Sequence, residues 1–256
     1  MISCFTVTQE GRLAVLARAL ADFCGQTARD RELVIVHDGG HTLHQDVVRL
    51  ARECDCAPVN VVQAASGQTL GALRNTALAV ARGDYVCQWD DDDRYHPRRL
   101  DIQLSALRAA KSDCSFLGDQ LHLFTELREM YWDDWYEEPY PFNFAPGTLF
   151  ARRDALARYP ELRQGEDTGL VVEMLRQGRS FARLREHGYL HVYVFHGQNS
   201  FDQAHHAAIS LVRGFRGARL LRLEAVLRAR TAEFEPPLGA FSMPFAGGEL
   251  VFSGGD

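Results

Sequence analysis

The chain has 256 residues, and 28 basic against 34 acidic side chains leave a net charge of −6. Hydrophobic residues make up 46% and charged residues 24%, an ordinary globular composition that argues against disorder. The length buries a full core as one large or two small domains, and the mild acidity leaves no electrostatic footprint for duplex nucleic acid.

No apolar run approaches the roughly 18 residues that span a bilayer. The opening Met1-Ile2-Ser3-Cys4-Phe5 has no basic n-region and does not read as a signal peptide. Cys4, Cys24, Cys54, Cys56, Cys87 and Cys114 lie in apolar stretches without a CxxC pair. They read as buried thiols of a reducing compartment, and Cys54-x-Cys56 lacks the second pair a zinc site wants. The reading is a cytoplasmic protein, touching a membrane inner face at most peripherally. Lys111 is the only lysine, a trace of genomic composition.

The first half alternates strand and helix. Ile2–Val7 is apolar and β-branched enough for a buried strand, and Arg12–Phe23 carries apolar residues at helical spacing. Leu33–Val36 is a second strand, Gln45–Arg52 a helix, Val59–Ala64 a third strand. Leu70–Arg82 is an amphipathic helix closed by Gly83, and Asp84–Trp89 is a fourth strand. Pro97 opens another helix, in the first turn where proline is tolerated. Short connections of this kind predict a mostly parallel sheet covered on both faces.

Beyond residue 110 the pattern changes. Asp113–Phe124 and Glu129–Trp132 read as longer strands, Gly147–Ala151 as a short one. Asp167–Arg176 reads as a helix and Tyr189–Phe195 as a strand. Ala204 to Arg230 is helical with a break near Gly214 and Gly217, and Gly247-Gly248 and Gly254-Gly255 predict a loose tail.

Four features carry chemistry. Asp90-Asp91-Asp92-Asp93 ends a buried strand, where neighbouring carboxylates about 5 Å apart repel by roughly 3 kcal/mol per pair. Asp90 and Asp92, two apart, suit one hard divalent ion, Mg²⁺ or Mn²⁺. Open α/β sheets bind ligands outside the carboxyl ends of their strands. Asp38-Gly39-Gly40 follows the second strand, where a carboxylate can accept from a base or ribose, although Asp-Gly is also a common turn. Arg74, early in the helix before the aspartates, suits phosphate or base contacts. Glu166-Asp167 opens a helix, where carboxylates are often caps, and Asp167 is also a candidate general base.

In this order the pieces resemble family-2 glycosyltransferases of the GT-A fold. The stretches are Asp38-Gly39-Gly40, Leu73 through Tyr85, Asp90–Asp93, Pro97-Arg98-Arg99-Leu100 and Gly165-Glu166-Asp167. The resemblance is strong over 1–104, patchy to about 200 and absent beyond. It implies an α/β fold of GT-A type, a mostly parallel Rossmann-like sheet flanked by helices with a C-terminal helical extension. Residues 1–200 would form the transferase domain, with 1–110 its nucleotide half and 111–200 its acceptor half, and 201–256 the extension and tail.

Residue by residue, the resemblance puts Thr8, Asp38 and Arg74 around the nucleotide. Asp90 and Asp92 become metal ligands, Asp91 lies toward the ribose or sugar, and Asp167 is the base with Glu166 beside it. His196, in Phe195-His196-Gly197-Gln198-Asn199-Ser200, resembles a late histidine that reaches the metal or diphosphate. The sequence departs from the family at Val7-Thr8-Gln9-Glu10, His37 and Gly40, and it has no Gln-x-x-Arg-Trp. A non-processive, inverting transfer from a nucleotide-sugar donor, UDP favoured through Asp38, is implied. The acceptor would be a saccharide, a lipid-linked sugar or a small molecule in surface-glycan, glycolipid or glycoconjugate synthesis. A homo-oligomer is compatible with this reading.

The aromatic, acidic band from Trp132 to Phe144 falls in the acceptor half, with Trp132 and Trp135 as sugar-stacking candidates and ordinary core packing as the alternative. Arg213, Arg216, Arg219, Arg222, Arg228 and Arg230 make the last helix basic, open to an anionic surface or to simple solvation. A silent sugar-nucleotide or glycan-binding module, and a sugar-nucleotide nucleotidyltransferase, are the competing functional readings.

Overall fold

A computed structural model describes residues 1–197, 199, 201–245 and 247–254. Gln198 and Ser200 of the late histidine motif, and Gly255 of the second glycine pair, lie outside the described residues.

The strand-helix alternation is realised as β1 (Ile2–Val7), α1 (Leu13–Cys24), β2 (Arg31–His37), α2 (His41–Arg52), β3 (Val59–Gln63), α3 (Leu70–Val80) and β4 (Tyr85–Gln88). These four strands are parallel, with β1 between β2 and β4. Two-sided burial explains their unbroken apolar runs, since β2 is buried at every position. The aspartates leave the carboxyl end of β4, next to the carboxyl ends of β1 and β2. The Arg82-Gly83 stretch after α3 is a fastener: Arg82 pairs with buried Glu32 and the Gly83 amide donates to Ser3 Oγ.

β5 (Arg94–Tyr95) and α4 (Arg99–Ala110) follow, then β6 (Cys114–Leu117), β7 (Asp119–Phe124), β8 (Glu129–Asp134) and β9 (Phe150–Arg152). The long strand expected over 113–124 is thus two strands in two sheets. Gly118 marks the crossing: its amide donates to Leu184 O, and a Cβ there would sit 2.8 Å from the Tyr136 ring. α5 (Glu166–Arg176), β10 (Phe181–Leu184), β11 (His191–Phe195), α6 (Gln203–Arg213) and α7 (Ala218–Thr231) complete the helices.

The first sheet has the order β10-β6-β9-β4-β1-β2-β3, with β9 antiparallel to both neighbours. A second, mixed sheet was not foreseen. Its order is β13-β12-β8-β7-β11-β5, ending in a hairpin of β12 (Phe241–Phe245) and β13 (Gly248–Phe252). The tail expected to be loose is therefore structured. Phe241, Met243, Leu250 and Phe252 are buried at period-two spacing and pair across the hairpin, and Gly247 and Gly248 sit at its turn.

Two apolar clusters cover the faces of the first sheet. A third joins β7, β8 and β11 to α7 and the hairpin. The helical break at Gly214 and Gly217 lets the chain dock on β8, where the Phe215 amide donates to Trp132 O. Among the described residues no helix is long and apolar enough to cross a membrane.

His96 ties the two regions together, fully buried between the rings of Tyr189 and Phe234. Burial holds its imidazole down to about 4, and Glu233 only partly opposes this. Unfolded histidine takes its proton near pH 6.5, so the unfolded state binds it first as pH falls. His96 should therefore remove stability between about pH 6.5 and 4, by up to about 1.4 kcal/mol per pH unit. His96→Gln should flatten that part of a urea-denaturation series across pH.

Candidate active site

The aspartate run does not continue β4 as a strand. Its carboxylates turn to partners from several elements. Asp90 accepts from Arg74 at 2.9 Å and from Gln88 at 3.0 Å. Arg12 reaches both Asp91 at 2.8 Å and Asp92 at 3.0 Å. Asp92 Oδ2 lies 3.1 Å from His196 Nε2. Asp93 is buried, 2.8 Å from His191 Nε2 and accepting from the Val194 amide, so it anchors the turn to β11.

The electrostatics follow these partners. Burial pushes Asp91 up to about 7, and neighbouring Asp92 adds to this against the pull of Arg12. Burial also acts upward on Asp92, but His196 and Arg12 outweigh it and hold the carboxyl below its ordinary value. Asp92 is thus held in its charged form beside an imidazole. The Asp91 Oδ2 atom is buried and unpartnered. Carboxylates with an imidazole are a hard-to-borderline donor type that suits Mn²⁺ or Mg²⁺, but Asp90, Asp92 and His196 do not all converge within 4.8 Å, because Asp90 is turned to Arg74 and Gln88.

The opposite wall is built by α3 and α5. Thr69 caps α3 by accepting from the Ala72 amide, and this sets Arg74 at the cavity wall. Arg74 is buried, 3.3 Å from Glu166 Oε1 and 5.4 Å from the Tyr159 ring centroid. Tyr159 donates to Gln88, which donates to Asp90, so a chain of hydrogen bonds orients that carboxylate. Asn75 clamps the Tyr159 backbone with its amide oxygen and nitrogen. Gly71 must lack a side chain, because a Cβ would stand 1.9 Å from Pro160 O.

Gly165, at φ +74°, opens α5 and delivers Glu166 and Asp167. Glu166 is buried, and that burial raises its pKa against the opposing charge of Arg74. Asp167 is half-buried and accepts from the Thr168 amide at 2.6 Å.

Arg74, Asp90, Asp91, Asp92, Glu166, Asp167 and Trp135 line one cavity of ≈ 470 Å³. His196 joins this group through Asp92. Thr8 and Asp38 lie off that cavity. Thr8 is buried at the end of β1, and its amide donates to Val36 O. Asp38 is partly exposed and accepts from the Gly67 and Gln68 amides, pinning the approach to α3.

Trp132 is corrected: it is fully buried, stacked on Phe215 at 5.5 Å, and belongs to the third core rather than to an acceptor surface. Trp135 does face the cavity, with the Arg213 guanidinium 4.3 Å from its ring centroid. The C-terminal arginines are engaged rather than arrayed. Arg213, Arg219, Arg222, Arg228 and Arg230 pair with Glu138, Asp134, Glu186, Glu224 and Glu233, and Arg216 donates to Leu211 O.

Sequence reading missed Arg12 and the far end of the cavity, where His122, Tyr193, His205 and His206 lie. His122 forms a buried cluster with Asp133 and Ser210, at 3.0–3.1 Å. Gln120 and His122 alternate with Leu121 and Leu123 along β7, a period-two polar signal that marks a strand face turned to a cavity. Arg12 carries no such mark, since its role depends on a contact across 79 residues.

The profile of the family described as "Glycosyl transferase family 2" matches residues 4–154. The chain belongs to this family. A curated relative, the cholesterol galactosyltransferase of Borreliella burgdorferi, is 26% identical over 115 residues, 44% of this chain and 30% of that protein. The family-2 chain thus spans under a third of that relative's length. Among solved structures, residues 1–349 of S. aureus TarS in complex with UDP-GlcNAc align at a TM-score of 0.60 and 16% identity, covering 91% of this chain and 66% of that one. The mannosyltransferase PcManGT from Pyrobaculum calidifontis, in complex with GDP-Man and Mn²⁺, aligns at 0.60 and 15%, covering 83% and 62%. These likenesses establish the GT-A type fold for the family-2 chain.

Burying Trp132 in the third core makes it a stability residue. Trp132→Ala should cost about 3–5 kcal/mol of unfolding free energy, read by urea denaturation.

Proposed function

We propose that the chain is a metal-dependent, non-processive, inverting glycosyltransferase that moves a sugar from a nucleotide diphosphate, UDP favoured, to an acceptor hydroxyl. One observation carries this reading: a single cavity faces Asp90, Asp91 and Asp92 toward Asp167 and Glu166, with Arg12 and Arg74 between the carboxylates. The Borreliella relative is a galactosyltransferase, and the Pyrobaculum mannosyltransferase binds GDP-Man together with Mn²⁺, which supports donor class and metal.

Asp90, Asp92 and His196 would hold the divalent ion, which when bound neutralises charge developing on the departing diphosphate. Arg12 and Arg74 supply fixed positive charge along the same path, in a partly dry site where it acts strongly. Asp38 and Thr8, at the ends of β2 and β1, lie off the cavity, so contacts from them to base and ribose require the nucleotide to extend past it along the strand ends. Asp91 lies toward the ribose or sugar.

Asp167 accepts the proton of the attacking acceptor hydroxyl. Its carboxylate is open to the cavity and oriented by the Thr168 amide. Glu166 is suited to positioning instead. Buried against Arg74, it fixes that guanidinium rather than exchanging protons with an acceptor. Attack on the anomeric carbon opposite the leaving diphosphate forms the new C–O bond as the old one breaks, and the configuration inverts. Trp135 and the exposed rings of Phe142 and Phe201 offer apolar faces to a sugar or an apolar acceptor at the cavity mouth.

Asp167→Asn should lower kcat by roughly 10²–10⁴-fold while donor affinity stays near wild type; wild-type turnover would remove Asp167 from the base role. Trp135→Ala should raise the acceptor KM and leave donor binding unchanged, measured by steady-state kinetics with both substrates varied. A nucleoside diphosphate at about 100 times its Kd, with Mn²⁺, should add about 2.7 kcal/mol of stability. For a chain of this size that is a thermal shift on the order of 5–10 °C. Among UDP, GDP, TDP and CDP, the shift should be largest for UDP and should disappear in Asp92→Ala. No shift with any of the four would favour a glycan-binding module or a donor outside this panel.

A further inference from the structure

At the other edge of the first sheet, three cysteines far apart in sequence converge. Cys24 ends α1, and Cys54 and Cys56 lie between α2 and β3. Cys24 Sγ is 2.6 Å from Cys54 Sγ, which is 3.4 Å from Cys56 Sγ. All three sulfurs lie within 4.8 Å of one another, and all three residues are half-buried. Among the described residues, no other group of three or more Cys, His, Asp or Glu donors converges so tightly.

We propose that Cys24, Cys54 and Cys56 form a binding site for one thiophilic divalent cation of the zinc class, separate from the sugar-nucleotide cavity. The ligand chemistry is soft sulfur throughout, which selects zinc-like ions over the Mg²⁺ or Mn²⁺ suited to the aspartates. Zinc–thiolate bonds are about 2.3 Å, so two sulfurs on one tetrahedral ion stand roughly 3.8 Å apart. Small side-chain rotations take the present separations to that value without moving the backbone. Half-exposure leaves the fourth position to solvent.

The backbone around the cluster is fixed before any ion arrives. Buried Arg31 donates from its guanidinium to Phe23 O, Ala28 O and Cys24 O, which holds the end of α1. The Glu53 and Cys54 amides donate to Leu50 O and Ala51 O, continuing α2 by one turn. Binding would release three thiol protons and leave a local charge of −1 beside Arg31. Because α1 and α2 run back from the carboxyl ends of the strands, this site lies about a strand length from the donor cavity, roughly 20 Å. The bound ion would tie α1 to the connection between α2 and β3.

The test is a Co²⁺ titration of the full chain, purified with a non-thiol reductant and without chelator. Wild type should develop a near-ultraviolet sulfur-to-cobalt charge-transfer band that saturates at one equivalent, and one equivalent of Zn²⁺ should bleach it. Cys54→Ser and the milder Cys56→Ser should each lose the band while circular dichroism shows both folded. Asp92→Ala should keep it, because carboxylates give no such band. A folded, reduced wild type without the band overturns the proposal. So does a band that persists in both serine variants, or a Cys24–Cys54 disulfide that stays closed under the reductant.

Discussion

Four adjacent carboxylates leave the end of a buried strand, and their mutual repulsion must be offset by groups brought from elsewhere in the chain. Arg12 comes from the entrance to α1, Arg74 from α3, His191 from β11 and His196 from the loop after it. The aspartates thereby divide into three roles. Asp93 anchors β11, Asp90 is oriented through Gln88 and Tyr159, and Asp91 and Asp92 share Arg12. The first sheet, the second sheet and α5 meet where these charges meet. Removing the run would leave Arg12 without its two partners and the buried Arg74 with Glu166 alone, a costlier state than the paired one.

The same arrangement explains how much of the molecule is legible from residues alone. The β1-to-β4 alternation could be read because its strands are buried on both faces and its helices follow the 3.6-residue period. The aspartates and Glu166-Asp167 could be read because charge at an element end stands out against apolar surroundings. Arg12 and Gln88 were not legible, since nothing local distinguishes them. Trp132 and Trp135 differ by three positions and share one composition, yet one is core and the other lines the cavity. Their separation comes from where β8 ends, which depends on pairing with β7. The second sheet was hidden for the same reason, and the hairpin was obscured by glycines that advertise a turn and a loose end equally well.

The second sheet bears on the side of the cavity we propose for the acceptor. β7 and β11 present Gln120, His122 and Tyr193 to it, and their other neighbours belong to the core shared with α7 and the hairpin. Matching to the family profile stops at residue 154, whereas the cavity draws walls from residues on both sides of that point. The matched range holds the aspartate run together with Gln120, His122 and Trp135, whereas Glu166, Asp167, His191 and Tyr193 lie beyond it.

Pro160 packs against two glycines at once. A Cβ on Gly71 would collide with its carbonyl oxygen, and one on Gly169 would stand 2.6 Å from its ring. The segment from Tyr159 to Asp167 is therefore seated directly on the backbones of α3 and α5, with no side chain to act as a spacer. Arg74 rides on the first of those helices and Asp167 on the second. The gap between the wall that bears Arg74 and the wall that bears Asp167 is thus gauged by two residues that possess no functional group. The gap could be retuned only by changing backbone contact, so its width in this chain is set by steric fit rather than by chemistry.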